Sequence, residues 1–150
     1  MTYSYRRLTR DDLGAFDQLR RVFGEAFEDV ETFQGAPPSD DYIRALLGKP
    51  SFIAVVALLG EQVVGGLTAY VLDKYERERA EVYIYDLAVA DAHRRRGVAR
   101  QLIRTLKPIA KASGAYVIFV QADPPDDPAI RLYESMGTRE DVHHFDMGVD

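Results

Sequence analysis

An uninterrupted apolar run at residues 52–59 constrains the fold of this chain more than any other feature. A run with no polar position is expected of a strand that is covered on both faces. It is far too short to cross a bilayer, which takes about 20 apolar residues in a helix. Before the run, apolar side chains recur at helical spacing, at Leu13, Phe16, Leu19, Phe23 and Phe27. The chain therefore combines helices with a strand that lies inside a sheet.

Strand and helix signals alternate along the rest of the chain. Further strands are predicted at residues 3–8, 63–72, 81–89, 115–122 and 138–147. Helices are predicted after Thr9, at residues 39–47 and 98–111, and from Asp127-Pro128, where an N-cap precedes a proline. Residues 28–39 are predicted to form a loop, and Pro108 to kink or shorten its helix. This order indicates an α/β fold with a mixed central β-sheet flanked by helices, as one domain over residues 1–150.

Composition and charge exclude several classes of function. No cysteine is present, which excludes disulfides, thiolate metal sites and a mechanism that carries an acyl group on a thiol. The histidines, His93, His143 and His144, lack the spacing of a zinc motif, so no metal is predicted. The formal net charge of -5 is opposite to that of most duplex nucleic-acid binders and suits a cationic partner, although mild acidity also serves solubility alone. The N-terminus lacks an apolar run, which predicts a cytoplasmic protein without a signal peptide.

A basic turn between a predicted strand and a predicted helix is the first candidate binding site. It reads Arg94-Arg95-Arg96-Gly97-Val98-Ala99. The first turn of a helix carries unpaired N–H groups and the positive end of the helix dipole, so it favours phosphate, and a glycine lets the ligand approach the backbone. Neither of the common nucleotide-binding fingerprints occurs. The alternative is a solvated basic turn that only caps the helix.

The strand at residues 81–89 contains a carboxylate among apolar residues. Strict alternation predicts one face with Glu81, Tyr83, Tyr85, Leu87 and Val89, and the other with Val82, Ile84, Asp86 and Ala88. A carboxylate on an apolar face is costly unless it is paired, so Asp86 either makes a structural hydrogen bond or has a function. A β-bulge nearby would redirect its side chain.

Two further groups of residues have both a structural and a functional interpretation. Tyr133, on the last predicted helix, is either a packing residue whose hydroxyl reaches the surface or a proton donor. Carboxylates occur in two loops, at Glu28 and Asp29 and at Asp123, Asp126 and Asp127. They are either solvated charges, with Asp127 as a helix cap, or an anionic pocket for a polyamine if both loops flank one cleft.

The basic turn and the last helix belong to one pattern. The turn has the form basic-x-x-Gly-x-Ala at residues 94–99, and the last helix contains Ala-x-x-Leu-Tyr at residues 129–133. In this order, with a helix and a strand between them, they resemble the GNAT superfamily of N-acetyltransferases. Segments along nearly the whole chain are similar to the aminoglycoside 3-N-acetyltransferases, among them residues 52–54, 83–89, 114–118, 120–123, 126–129 and 144–146.

The resemblance implies a GNAT-type fold with acetyl-CoA as cosubstrate, held between the fourth and fifth strands. The coenzyme would contact the backbone of Leu87, Ala88 and Val89, the side chain of Tyr133, and the turn at Arg94, Arg95, Arg96, Gly97, Val98 and Ala99. Transfer would be direct, with the backbone N–H near Leu87 stabilising the oxyanion. Asp86 is the first choice for the general base and Glu81 the second, and Tyr133 would protonate the departing thiolate.

The implied acceptor is the 3-amino group of the 2-deoxystreptamine ring in gentamicin-like aminoglycosides, whose acetylation confers antibiotic resistance. It would be bound by Glu28, Asp29, Tyr85, Asp86, Asp123, Asp126 and Asp127. Two alternatives stay open: a GNAT acetyltransferase for another amine, such as a polyamine or a protein N-terminus, and a non-catalytic acetyl-CoA sensor. Nucleic acid and membrane are not expected as partners, and a homodimer is compatible with the resemblance.

Overall fold

Five strands form one mixed sheet in the computed structural model, which describes residues 2–150. They are β1 (Ser4–Arg7), β2 (Phe52–Leu59), β3 (Gln62–Asp73), β4 (Ala80–Val89) and β5 (Ala115–Val120). Neighbours in the sheet follow the chain order. The first four strands pair antiparallel, and β4 pairs with β5 in parallel. A parallel pair needs a crossover connection, and the helix between β4 and β5 supplies it.

Helices cover both faces of the sheet, which confirms the predicted fold class. They are α1 (Leu13–Ala26), α2 (Val30–Gln34), α3 (Asp40–Leu47), α4 (Val98–Ala112) and α5 (Asp127–Glu134), with a 3-10 turn at Asp91–His93. α1 and α3 pack on one face of the sheet, and α4 packs on the other. Residues of β2 alternate between the two layers: Ile53, Val55 and Ala57 face α4, and Phe52, Ala54, Val56 and Leu58 face α1 and α3. The apolar run is thus a strand buried on both faces, as predicted.

Three local predictions differ from the structure. α2 lies within residues 28–39, the predicted loop, where Asp29 caps it by accepting a hydrogen bond from the Thr32 N–H at 3.2 Å. α4 is not shortened at Pro108 but continues to Ala112, because its buried stripe extends along the sheet. The cap of α5 is Asp126 and not Asp127, because the Asp126 carboxylate reaches the Ala129 N–H at 3.3 Å.

The predicted last strand at residues 138–147 does not form. Its sequence alternates at Phe145 and Met147, and its apolar members Val142, Phe145 and Met147 are exposed. A strand needs a neighbour to satisfy its backbone groups. No strand within residues 2–150 pairs with this segment, so alternation alone is not sufficient here and the prediction is wrong.

Gly65 and Gly66 lie where β3 passes close to its neighbours. A Cβ on Gly66 would lie 2.5 Å from Leu19 Cδ1 and 2.7 Å from the Val55 carbonyl oxygen. A Cβ on Gly65 would lie 3.0 Å from the Ala88 carbonyl oxygen. The register between β2 and β3 also shifts next to this pair. Glycine inside a strand usually marks a β-bulge or a close approach of another backbone, and both are present here.

Gly66→Ala is expected to destabilise the fold by about 1–3 kcal/mol, because a strand backbone cannot move away from the new methyl group as a side chain can. The matched control is Gly14→Ala on α1, where no atom lies within 4 Å of the new Cβ. That control should stabilise the protein by about 0.5–1 kcal/mol through helix propensity. Urea unfolding measures both free energies. Equal stability of the two variants would mean that β3 has room for a methyl group.

Candidate active site

The parallel pair of β4 and β5 opens towards the end of β4. The two strands pair as far as Ile84 and Val120, but β4 runs on to Val89. Residues 86–89 pair with β3 on one edge. Their other edge, which faces β5, has no strand partner in the described chain. A strand edge of this kind pairs readily with an extended ligand. The predicted coenzyme-binding backbone at residues 87–89 lies on this edge.

A β-bulge lies on β4 at Tyr85. In the register between β3 and β4, Thr68 pairs with Asp86 and Ala69 pairs with Ile84, so Tyr85 is the extra residue. A bulge places two residues opposite one and shifts the alternation of the following side chains by one position. A bulge at this place is the feature that would redirect the Asp86 side chain, and the register contains one.

The bulge moves Asp86 to the other face of the sheet from the one that strict alternation predicts. Apolar residues on both sides of the bulge point towards α4: Val82, Ile84, Leu87 and Val89. Ala88 packs with α1 and α3, and Asp86 shares its face. The predicted grouping of Asp86 with Val82 and Ile84 is wrong, because it counts every residue of β4 as one step of the pleat.

Asp86 is a half-buried carboxylate among aromatic rings. Burial alone raises its pKa, because a surrounding of low dielectric constant disfavours the charged form. Burial also raises the pKa of Tyr70 and of Tyr83, and the charges of Tyr85 and Asp86 add to both shifts. A carboxylate whose pKa is raised is a stronger base, which suits the removal of a proton from an amine.

Glu81, the second candidate base, lies at the opposite end of β4. Its Oε2 atom accepts a hydrogen bond from the Tyr116 hydroxyl at 2.9 Å and lies 3.6 Å from Lys74 Nζ. The strand between Glu81 and Asp86 spans about 15 Å. The structure therefore does not bring the two candidate bases together.

The basic turn contains two residues in the left-handed region. Arg95 has a φ of 62° and Gly97 a φ of 78°. Left-handed residues in a turn direct neighbouring N–H groups to one side, which favours anions. Gly97 is the N-cap of α4, and no side chain of residues 2–150 accepts a hydrogen bond from the first turn of the helix. The first-turn N–H groups, including those of Val98 and Ala99, are therefore available to a ligand.

The side chains of the turn differ in what they contact. Arg94 Nε donates a hydrogen bond to the Val89 carbonyl oxygen at 3.0 Å, which ties the turn to the end of β4. Arg95 and Arg96 are exposed to solvent. Val98 is only 2% exposed, so it offers a ligand its backbone alone. The turn thus presents backbone donors and two free guanidinium groups beside the unpaired edge of β4.

Tyr133 is half-buried on α5 and packs on the α4 side of the sheet. Burial, with a smaller contribution from the charge of Asp126, raises the pKa of Tyr133 to about 12. The side chain is therefore a protonated phenol at neutral pH. Since Asp86 points to the other side, the candidate acid and the candidate base lie on opposite faces of the sheet.

The two acidic loops lie on different elements. Asp29 caps α2 and Asp126 caps α5, and each accepts a backbone N–H. Glu28 has a φ of 54° in the connection between α1 and α2. Asp123 and Asp126 lie between β5 and α5, and Asp127 is the first residue of α5. No hydrogen bond or ion pair within residues 2–150 joins the two loops. A common pocket for a polyamine stays a prediction.

Sequence reasoning names Tyr85 next to Asp86 but misses the aromatic residues that neighbouring strands bring there. Tyr70 comes from β3, where the register pairs it with Tyr83. Phe119 comes from β5 and stacks on Tyr83, with 4.6 Å between the ring centroids. The only signal in the sequence is the Tyr-x-Tyr pattern at residues 83–85, and it does not show which residues lie opposite.

Residues 2–150 contain neither a cluster of metal ligands nor a helix that could span a membrane. No three His, Cys, Asp or Glu side chains converge there as a metal site requires. None of the helices in the same range combines the length and the apolar character needed to span a membrane. The candidate site therefore consists of the open edge of β4, the basic turn, Asp86 with its aromatic neighbours, and Tyr133.

The model of the acetyltransferase (GNAT) family matches residues 16–138, which include the bulged strand, the basic turn and Tyr133. This chain belongs to the GNAT family. It is 51% identical to an aminoglycoside acetyltransferase from an uncultured soil metagenomic sample, over 100% of both chains and with a TM-score of 0.98. A second aminoglycoside acetyltransferase from such a sample, solved in complex with sisomicin, is 36% identical, with a TM-score of 0.90 over 99% of this chain and 97% of that chain.

A curated relative of this GNAT chain is more distant. N-acetyltransferase 8B of Rattus norvegicus is 31% identical over 60% of this chain and 40% of its own length. The chain thus spans less than half of that relative. Acetyl-CoA is the acetyl donor of the GNAT family, and both the strand edge and the basic turn offer the backbone donors that such a coenzyme needs.

Proposed function

We propose that this protein transfers the acetyl group of acetyl-CoA to the 3-amino group of the 2-deoxystreptamine ring in gentamicin-like aminoglycosides. The observation that carries the proposal is Asp86, a half-buried carboxylate next to the unpaired edge of β4. The identity of 51% to an aminoglycoside acetyltransferase over the whole chain supports the substrate class. The resemblance of residues 83–89, 120–123 and 126–129 to the 3-N-acetyltransferases supports the position of transfer.

The residues around the opening between β4 and β5 fit acetyl-CoA. Leu87, Ala88 and Val89 offer a strand edge to the amide groups of the pantetheine arm. The N–H groups at the start of α4 and the guanidinium groups of Arg95 and Arg96 offer donors to the pyrophosphate oxygens. Because Arg94 ties the turn to Val89, these two parts of the site keep a fixed separation.

The reaction is a direct transfer from sulfur to nitrogen. The neutral acceptor amine attacks the thioester carbon, an N–C bond forms, the C–S bond breaks and the thiolate leaves. Asp86 accepts the proton that the nitrogen loses, and Tyr133 donates a proton to the thiolate. Exchange with solvent then restores both side chains. The chain has no cysteine, so it has no thiol on which to hold the acetyl group.

The remaining ammonium groups of the acceptor require anionic partners. We assign these to Glu28 and Asp29 between α1 and α2, to Asp123 and Asp126 between β5 and α5, and to Asp127 at the start of α5. The net charge of -5 adds long-range attraction for a polycation. A polyamine or a peptide would leave part of this set unused, because it presents fewer or more widely spaced charges.

Thiol release from acetyl-CoA by the purified protein tests the proposal, with gentamicin, spermidine and a short peptide as competing acceptors. We expect turnover with gentamicin alone, and NMR of the product should find the acetyl group on the 3-amino nitrogen. Acetylation of the 6'-amino group would keep the substrate class and overturn the position. Turnover with spermidine or the peptide instead would indicate another amine, and coenzyme binding without any turnover would indicate a sensor.

A further inference from the structure

Three tyrosines from two neighbouring strands surround the carboxylate of Asp86. They are Tyr70, Tyr83 and Tyr85, which we call the tyrosine wall. Their rings meet edge to face, with centroids 5.8 Å apart for Tyr70 and Tyr85 and 5.6 Å apart for Tyr83 and Tyr85. The bulge creates this arrangement, because the extra residue it inserts is Tyr85 itself.

Two members of the wall are held in place from behind. The Tyr70 ring packs against Phe52 of the core, with 5.4 Å between centroids. The Tyr83 ring is stacked on Phe119, and its hydroxyl donates a hydrogen bond to Gln121 Oε1 at 3.1 Å. The third member has no such support and is 61% exposed. The tyrosine wall therefore has two rings that are fixed by packing, those of Tyr70 and Tyr83, and one ring, that of Tyr85, that is open to a ligand.

The wall is suited to a cation. The π faces of tyrosine rings attract ammonium groups, and the attraction grows where water is partly excluded. Among residues 2–150 the cation–π pair of this chain is Arg79 over Tyr116, 3.8 Å from the ring centroid, and it involves no member of the wall. No lysine or arginine of the chain therefore competes with a ligand for these faces.

We propose that the tyrosine wall binds the cationic acceptor, with Tyr85 contacting an ammonium group and Tyr70 and Tyr83 orienting the sugar ring that carries the reacting amine towards Asp86. This inference rests on the proposed function. It gives Tyr85, which the resemblance already implies as an acceptor contact, a specific role, and it adds Tyr70 and Tyr83. A protonated neighbour of the reacting amine lies over the rings, while the reacting nitrogen itself is neutral.

The wall also controls the water around Asp86. The titratable groups on which the charge of this carboxylate acts are Tyr70 from β3 and Tyr83 from β4. Burial raises the pKa of both phenols, so neither is charged at neutral pH. Removing the ring of Tyr70 admits water to the carboxylate. Because burial is what raises the pKa of Asp86, admission of water lowers that pKa. The acid limb of the rate profile then moves to lower pH.

Tyr85→Leu, Tyr85→Phe and Tyr70→Leu test the wall, and Tyr75→Leu is the matched control because Tyr75 is 99% exposed. For Tyr85→Leu we expect the KM for gentamicin and its calorimetric Kd to rise by about two- to fivefold, the size of one cation–π contact at a partly exposed ring. Tyr85→Phe keeps the π face and should stay near the wild type. The KM for acetyl-CoA should not change in any variant, and only Tyr70→Leu should shift the acid limb of kcat/KM.

The outcomes separate this inference from the function on which it rests. If the wild type acetylates gentamicin but Tyr85→Leu behaves like Tyr75→Leu, the tyrosine wall does not bind the acceptor, and the proposed function stands. If Tyr85→Phe loses affinity as far as Tyr85→Leu does, the phenol oxygen and not the π face binds the acceptor, which also overturns the inference. If the wild type neither binds nor acetylates any aminoglycoside, the proposed function and the wall fail together.

Discussion

Asp86→Asn is expected to turn over an aminoglycoside acceptor about 10²–10⁴-fold more slowly than the wild type, the usual contribution of a general base. Asparagine has nearly the same size but cannot take a proton from the amine. The KM for acetyl-CoA should stay that of the wild type, because the backbone of β4 and the turn before α4 hold the coenzyme in the proposed site. Initial rates of thiol release measure both constants.

Glu81→Gln is the matched control for this substitution. Lys74 and Tyr116 already engage the Glu81 carboxylate at the far end of β4. We therefore expect this variant to keep the kcat of the wild type. A loss of rate in Glu81→Gln together with a normal rate in Asp86→Asn would transfer the role of base to Glu81, through a chain of water molecules along the strand.

The pH dependence of kcat/KM in the wild type and in Asp86→Asn identifies the titrating group. Burial raises the pKa of Asp86, so its carboxylate form is lost at a higher pH than that of a solvated aspartate, which titrates near about 4. The wild-type kcat/KM should fall as the pH decreases through this raised pKa. In Asp86→Asn this decrease should disappear, and only the decrease in kcat/KM that is caused by protonation of the acceptor amine should remain. An acid limb unchanged by the substitution would exclude Asp86 as its source.

The sheet and its main helices are predictable because their signals are local. An apolar run identifies β2, and helical spacing identifies α1 and α4, without knowledge of any neighbour. The tail at residues 138–150 shows the limit of such signals. Its alternation is that of a strand, but strand formation depends on a partner elsewhere in the chain, and none lies beside it in the described structure.

The residues of the candidate site also divide into those that local sequence signals identify and those that depend on strand pairing. The turn at residues 94–99 and Tyr133 are singled out as candidates by motif, since each motif is contiguous. Asp86 is singled out as an unusual carboxylate in an apolar strand, but the sheet face on which it lies is predicted wrongly. The extra residue, Tyr85, moves every following side chain of β4 to the opposite face. Tyr70 is not found at all. Its place next to Asp86 follows from the pairing of two strands, and pairing register is a property of the folded sheet.

Tyr133→Phe is expected to lower kcat by about 10²-fold, because it removes the proton that the departing thiolate needs. The pKa of about 12 keeps the Tyr133 phenol protonated throughout the working range, so the loss should be the same at every pH between about 6 and 9. A thiolate that leaves unprotonated is a poorer leaving group. The KM for the aminoglycoside should be unaffected, since Tyr133 lies on the opposite face of the sheet from Asp86.

Acetyl donors with thiols of different acidity distinguish proton donation by Tyr133 from packing. Phenylalanine retains the ring that packs against the α4 side, so thermal unfolding should report a Tm close to that of the wild type. Donors with more acidic thiols need less protonation, and the gap between Tyr133→Phe and the wild type should close as the thiol pKa falls. If the gap stays constant across the series while the Tm drops, Tyr133 shapes the coenzyme site by packing and another group supplies the proton.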